Sequence, residues 1–193
     1  MLGVPDQGEP REITQSAEVR ALRHPLRKRL LRALHRNGPA TATALAKALG
    51  ENTGATSYHL RRLAEHGFVE DDPERGRGRE RWWRTGPRDL RFPPRSRMDA
   101  ALRAELGRFE QDAAADDAEA LARFEQARDH LGPWADAMLF ARGELWLDPA
   151  GARRFWEDYM DLFNRYAADP APGDGGRAVR VRFMAFPEVE PTA

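Results

Sequence analysis

Between Thr53 and Arg62 the chain reads TGATSYHLRR: hydroxyls, a glycine, an aromatic ring, an imidazole and two guanidiniums within ten residues. Hydroxyls can bond phosphates or either kind of base edge, guanidinium reads guanine O6 and N7, and apolar groups meet the thymine methyl. Shortly afterwards ERGRGRER sets Arg75, Arg77, Arg79 and Arg81 around Gly76 and Gly78. A flexible cationic loop of this kind can follow phosphates or enter a minor groove, although Glu74 and Glu80 dilute its charge. The chemistry implied is contact with a nucleic-acid duplex. Thr53, Gly54, Ser57, Tyr58 and His59 are the candidates for base edges, with Arg61, Arg62, Arg75, Arg77 and Arg79 on the backbone. Gly54 lets the start of the helix approach closely, and a helix N-terminus favours a phosphate.

Such residues act together only if the chain holds them on one frame, and the flanking pattern predicts it. Ser16 can cap a first helix running to His24, with Val19 and Leu22 on one face. Pro25 suits the first turn of a second helix, whose stripe is Leu26, Leu30, Leu31 and Leu34 and whose stop is Asn37-Gly38-Pro39. Thr41 caps a third helix, with Ala44, Leu45, Ala48 and Leu49 inward and Gly50 closing it. Asn52 caps the helix spanning 52–66, in which Thr56, Leu60 and Leu63 face the core. Phe68-Val69-Glu70 reads as a strand, residues 71–81 as the wing and RERWWR as the return strand, where Trp82 and Trp83 must point to opposite faces. One tryptophan packs on the helices and the other is available to a neighbouring element.

From residue 85 to 97 the chain is proline-interrupted and basic, as a linker would be. Beyond it two helices are expected, MDAALRAELGRFEQ and DAEALARFEQARDHLG, separated at DAAAD. Met138-Leu139-Phe140 and Leu145-Trp146-Leu147 suggest short strands, and Asp148-Pro149 opens a helix with the stripe Ala152, Phe155, Trp156, Tyr159, Met160 and Phe163. APGDGG breaks the chain, and AVRVRFMAF alternates as a last strand. The expected fold class is α+β, mainly helical: a winged helix-turn-helix domain over 15–90, then a helical C-terminal region over 97–187 with a small antiparallel sheet. Residues 1–14 read as a disordered leader, with no apolar segment that would make a secretory signal.

The chain has 193 residues and no net charge, yet the zero conceals a split. Residues 1–97 balance at +8 and residues 98–193 at −8. Polarity of this kind suggests that one half faces a polyanion. There is no cysteine, so disulfides, thiolate metal sites and thiol switches are excluded. No run of eighteen apolar residues could span a membrane. A cytoplasmic location fits these features.

From Ala21 to Arg84 the sequence resembles the ArsR-type winged-helix transcriptional regulators. The resemblance lies in ALRHPLRKRLLRAL, TATALAKALG, TGATSYHLRRLAEHGFV and the GRGRERWWR wing, with Ser57-x-His59-Leu60, Leu63 and Gly67-Phe68-Val69 its most specific part. The whole run is similar to an actinobacterial branch with a longer C-terminal half. The resemblance implies sequence-specific binding of double-stranded DNA by a homodimer that represses by covering a promoter. Metal-sensing members often carry cysteines near the helix corresponding to TATALAKAL, and this chain has none there. His24 stands where an Asp commonly precedes the proline.

Other functions are weighed on their own residues. The histidines at 24, 35, 59, 66 and 130 lack H-x-x-H or H-x-x-x-H spacing, so no metal site is expected. No G-x-G-x-x-G, P-loop or G-x-S-x-G occurs, so neither catalysis nor a cofactor is expected. The aromatics from Phe140 to Phe163 serve core or dimer packing, or line the pocket of a small-molecule effector. The alternative to DNA binding is a winged helix used for protein contact, which would not need a recognition face of one sign.

Overall fold

The computed structural model describes residues 11–73, 75, 80–86, 90–168 and 176–189. Its described residues fall into two compact units, one over 11–137 and one over 138–189.

In the first unit, Arg11–Glu12 (β1) leads into Ser16–Arg23 (α1), Pro25–Asn37 (α2), Ala40–Thr41 (β2), Ala42–Leu49 (α3) and Thr53–Glu65 (α4). Val69–Asp71 (β3), Trp82–Thr85 (β4) and Leu90–Arg91 (β5) follow, and Ala100–Ala127 (α5) completes the frame. Local signals set the boundaries. The Glu18 carboxylate accepts from the backbone N–H groups of Thr14 and Gln15, so α1 is capped from within its first turn and not by Ser16. His24 Nδ1 accepts from Leu26 N at 3.2 Å, so the imidazole caps α2 where an Asp would otherwise serve. Thr41 Oγ1 accepts from Ala44 N at 3.1 Å, and Asn52 Oδ1 from Gly54 N and Ala55 N. These two expected caps are present.

The core gathers Ile13, Val19, Leu30, Leu60, Leu63, Val69, Trp83 and Leu102 around the inward sides of the helices. Each such side chain contributes about 1.5–3 kcal/mol by leaving water. Thr56, Leu60 and Leu63 are buried, so the inner face of α4 follows the predicted stripe. In α3 the buried pair is Leu45 and Ala46, while Ala44 and Ala48 are exposed. That corrects the expected inward face; a run of alternating alanines offers little contrast from which to choose one.

The wing sheet has the order β2-β4-β3 and is antiparallel throughout, with Thr41 opposite Trp82, Ala40 opposite Trp83 and Glu70 opposite Arg84. Trp83 is buried and Trp82 half-buried, as strand alternation requires. Gly86 lies so close to Gly67 that a Cβ on it would sit 2.4 Å from the Gly67 carbonyl oxygen. Gly67 itself turns the chain out of α4 with φ 64°, a left-handed conformation suited to glycine.

Two elements were not expected. Arg11–Glu12 pairs in parallel with Leu90–Arg91, Ile13 is fully buried, and Ile13 N donates to Arg91 O at 2.7 Å. In addition, α5 is one helix of 28 residues where two were predicted. Ala113-Ala114-Ala115 are the strongest helix formers available, and the aspartates beside them do not interrupt it.

Helix α5 also bears on the charge split. Its Glu105 receives Arg23 at 3.1 Å and Arg108 at 2.8 Å, Asp112 receives Arg23 at 2.8 Å, and Asp116 receives Lys28 at 3.0 Å. Arg108 and Arg23 hold the Glu105 carboxyl below its ordinary range, and Arg23 does the same for Asp112. Part of the positive half is therefore neutralised inside the unit by the negative half.

The second unit holds Pro149–Ala168 (α6), begun by Asp148 Oδ1 accepting from Gly151 N at 2.6 Å. Phe183 packs on Phe155, Trp156 and Tyr159, stacking on Tyr159 at 4.2 Å. Burial among these rings raises the Tyr159 pKa. Residues 138–148 and 176–189 carry no strand, which corrects the expectation of strands at 138–140, 145–147 and AVRVRFMAF. A strand needs a partner to bond its backbone. The antiparallel sheet described is the wing's alone.

Candidate nucleic-acid interface

At 3.6 residues per turn, successive residues of α4 are about 100° apart. Thr56, Leu60 and Leu63 define the buried side, and Tyr58 comes out almost diametrically opposite, 55% exposed. Gly54 and Glu65 share this outer ridge. Arg61 and Arg62, next to each other in sequence, fall on its two flanks: Arg61 with Ser57, Arg62 with His66.

On the first flank lies a cleft of about 310 Å³ lined by Thr41, Ala42, Thr43, Ser57, Arg61, Glu80, Arg81 and Trp83. It brings together the N-terminal turn of α3, a hydroxyl and an arginine of α4, and the base of the wing. The Arg81 guanidinium stacks on the Trp83 ring at 4.2 Å and pairs with Asp71 at 2.9 Å, so its position is fixed on both sides. Thr43 and Arg81 are members the sequence reading did not choose. An arginine one residue ahead of a Trp-Trp strand, and a threonine in the first turn of a helix, were the signals available.

On the second flank a cleft of about 230 Å³ is lined by Ala17, Arg20, Ala21, Arg27, Arg62 and His66. Arg27 is half-buried and donates to the carbonyls of Ala21 and Arg20. Behind it the His24 and His59 rings lie 4.2 Å apart, and Arg27 Nη1 is 3.5 Å from His59 Nδ1. Burial lowers the pKa of both histidines; Arg27 adds to the effect on His24, and His24 and Arg27 add to it on His59.

The candidate residues are thus placed as follows. Thr53 and Gly54 are exposed in the first turn of α4, Ser57 is half-buried at the first cleft, and Tyr58 stands on the ridge. His59 is half-buried, with Tyr58 edge-on at 5.1 Å and His24 on its other side. Arg61 and Arg62 are exposed, Arg62 paired with Glu65. Arg75 is 3.7 Å from Asp72 at the start of the wing. Arg77 and Arg79 lie outside the described residues. Among the described residues no three His, Cys, Asp or Glu side chains come together as a metal ion would need.

Residues 22–72 match the family profile of a helix-turn-helix domain. A solved structure described as a possible transcriptional regulator for arsenical resistance is 31% identical; the match covers 52% of this chain and 95% of that one, with a TM-score of 0.34. Residues 22–72 carry a helix-turn-helix domain, and ArsR-family winged helix-turn-helix regulators are among the solved structures that the chain is similar to.

Also similar is the homodimeric winged helix-turn-helix DNA-binding domain Mb0332 of Mycobacterium bovis, a possible ArsR-family regulator (24% identity, 52% of this chain, 77% of that chain, TM-score 0.33). The AntR antimony-specific transcriptional repressor is 24% identical over 62% of this chain and 98% of its own, with a TM-score of 0.35. No functionally curated protein matches the chain. No helix among the described residues is long and apolar enough to cross a membrane.

Proposed function

We propose that this chain is a sequence-specific DNA-binding transcriptional regulator that acts in the cytoplasm as a homodimeric repressor. The observation that carries the reading is the outer face of α4: Tyr58 opposite the buried stripe, with an arginine on either side of it. A helix about 10–12 Å across fits the major groove, about 12 Å wide, so the ridge meets base edges while its flanks meet the backbones. Thr53, Gly54, Ser57, Tyr58 and His59 take the groove, and Arg61, Arg62, Arg75, Arg77 and Arg79 take phosphates. The protein binds; it catalyses nothing.

Dimerisation is supported by the second unit. Trp146 is 97% and Leu139 93% exposed, and Phe140, Phe155, Trp156, Phe163, Tyr166 and Phe186 are exposed as well. At 150–250 Å² per aromatic side chain, the exposed rings alone present on the order of 900 Å². One side of a standard interface buries about 800 Å². A two-fold dimer would read half-sites about 34 Å apart. Rings clustered around Phe183 are the place for a small-molecule effector, if the regulator takes one. Repression by covering the promoter follows from the family resemblance.

The test is fluorescence-anisotropy titration with the duplex upstream of the protein's own gene and with a scrambled duplex, at several salt concentrations. Selective, salt-sensitive binding is expected. A second reading, a winged helix for protein contact, draws on the internal neutralisation of Arg23, Lys28 and Arg32 by α5. Absence of binding to either duplex at low salt would decide for it.

A further inference from the structure

The second cleft beside α4 is chemically lopsided. Three guanidiniums and an imidazole line it, with only the methyl groups of Ala17 and Ala21 between them, and no carboxylate belongs to its wall. The acids paired with members of the cleft stand outside its wall: Glu65, paired with Arg62, and Glu105, 3.9 Å from Arg20. Among the described residues no carboxylate pairs with Arg27, although it is half-buried. Burial and the charge of Arg62 both push its pKa down. A cation held in place by two backbone carbonyls, near other cations and without a counter-charge, is arranged for an anion that the protein itself does not supply.

Position identifies the anion. Helix α4 has one cleft on each flank, Arg61 opening into one and Arg62 into the other, with the Tyr58 ridge between. A duplex receiving this ridge in its major groove presents one phosphate strand to each flank. We propose that Arg20, Arg27, Arg62 and His66 form a phosphate clamp for one DNA strand, opposite the Arg61–Arg81 cleft, which takes the other. The inference rests on the DNA-binding reading above and deepens it, bringing in the α1 arginine Arg20 and the α2 arginine Arg27.

Two kinds of phosphate could enter, a backbone phosphodiester or a free oxyanion, and the experiment separates them. Arg20→Ala and Arg27→Gln are titrated with the upstream and scrambled duplexes over a salt series. Melting temperatures show that each variant is folded, and Arg20→Ala keeps the test open if loss of the Arg27 bonds disturbs α1. Each lost phosphate contact should reduce the magnitude of the log K against log[salt] slope by about 0.9, weakening both duplexes alike. Affinity should fall roughly tenfold, as for a charged hydrogen bond. In duplexes carrying single neutral methylphosphonates, the wild type should be sensitive on both strands. Arg20→Ala should lose sensitivity on one strand, and Arg61→Ala on the other.

Folded variants with an unchanged slope and methylphosphonate pattern overturn the clamp while leaving the regulator intact. A wild type that binds no duplex overturns the regulator reading itself. If inorganic phosphate at low millimolar concentration raises the melting temperature of the wild type but not of Arg20→Ala, and the DNA slope does not change, the cleft belongs to a free anion and the proposal falls.

Discussion

His24 and His59 lie ring against ring, 4.2 Å between centroids, with the Arg27 guanidinium beside them. His24 must keep a lone pair on Nδ1 to accept from Leu26 N, and burial disfavours a proton on either ring. Both pKa values are therefore lower in the folded chain than the ordinary value of about 6.5. The unfolded chain takes up protons first, so stability is complete above that value and declines as pH falls below it. Melting temperature should be level from pH 8 to 7 and drop from about 6.5 downward, well before the carboxylates Glu105 and Asp112 titrate. His24→Asp, which keeps a cap and gives Arg27 a partner, should flatten the drop. A wild-type melting temperature that rises between pH 7 and 5.5 would refute the account.

Ridge and flank should separate in mutants of α4. Tyr58→Ala removes a side chain facing the groove and should change which duplexes are preferred. Arg62→Ala should weaken all duplexes about equally and reduce the salt slope by about 0.9. Glu65 shares the ridge and holds Arg62 in an exposed ion pair worth about 0.2–1 kcal/mol. Glu65→Gln, by releasing Arg62 and removing an acid from the DNA side, should tighten binding a few fold in anisotropy titrations. Weaker binding would show that the pair orients Arg62 instead of competing for it.

What was legible in the sequence was local. Pro25, Thr41 and Asn52 announce helix starts because a cap needs only its next three residues, and Thr56, Leu60 and Leu63 announce the inner face of α4 because their spacing is that of one helix side. The two clefts were not legible as such. Arg20, Arg27 and Arg62 converge only when three helices are packed, and Arg81 joins Arg61 only through the sheet register. His24 stands where an Asp is common, yet the imidazole fulfils the capping role and finds His59 far along the chain. Ile13 was assigned to the leader because its parallel pairing near Leu90 leaves no periodic trace. The C-terminal strands failed for the opposite reason: the apolar runs at 138–140 and 145–147 and the alternation of AVRVRFMAF are clear, but among the described residues none of them pairs as a strand.

Gly86 should tolerate no side chain. A Cβ there would meet the Gly67 carbonyl oxygen at 2.4 Å, and backbone at the end of α4 cannot swing aside as a flexible side chain could. Gly86 N also donates to Phe68 O at 3.1 Å, fastening the end of β4 to the turn after α4. Gly86→Ala should cost about 1–3 kcal/mol, the usual penalty for overpacking, seen as a lower midpoint in chemical denaturation with an unchanged m-value. DNA affinity should fall with it if the wing leaves its register. An unaltered midpoint would mean that the two glycines are not held in contact.

The exposed rings of the second unit lead to a prediction about mass. Trp146 makes almost its full surface available, so changing it should not disturb α6. If two copies cover each other's apolar segments, Trp146→Glu places a charge inside the interface, where it finds no partner and costs several kcal/mol. Light scattering after size exclusion at micromolar concentration should then give a dimer for the wild type and a monomer for the variant, with equal helical circular dichroism. DNA affinity should drop more for a duplex with two half-sites than for one with a single half-site, since only the dimer gains from the second. A wild type that is itself monomeric at that concentration would remove the basis for homodimeric repression and leave the apolar face to some other partner.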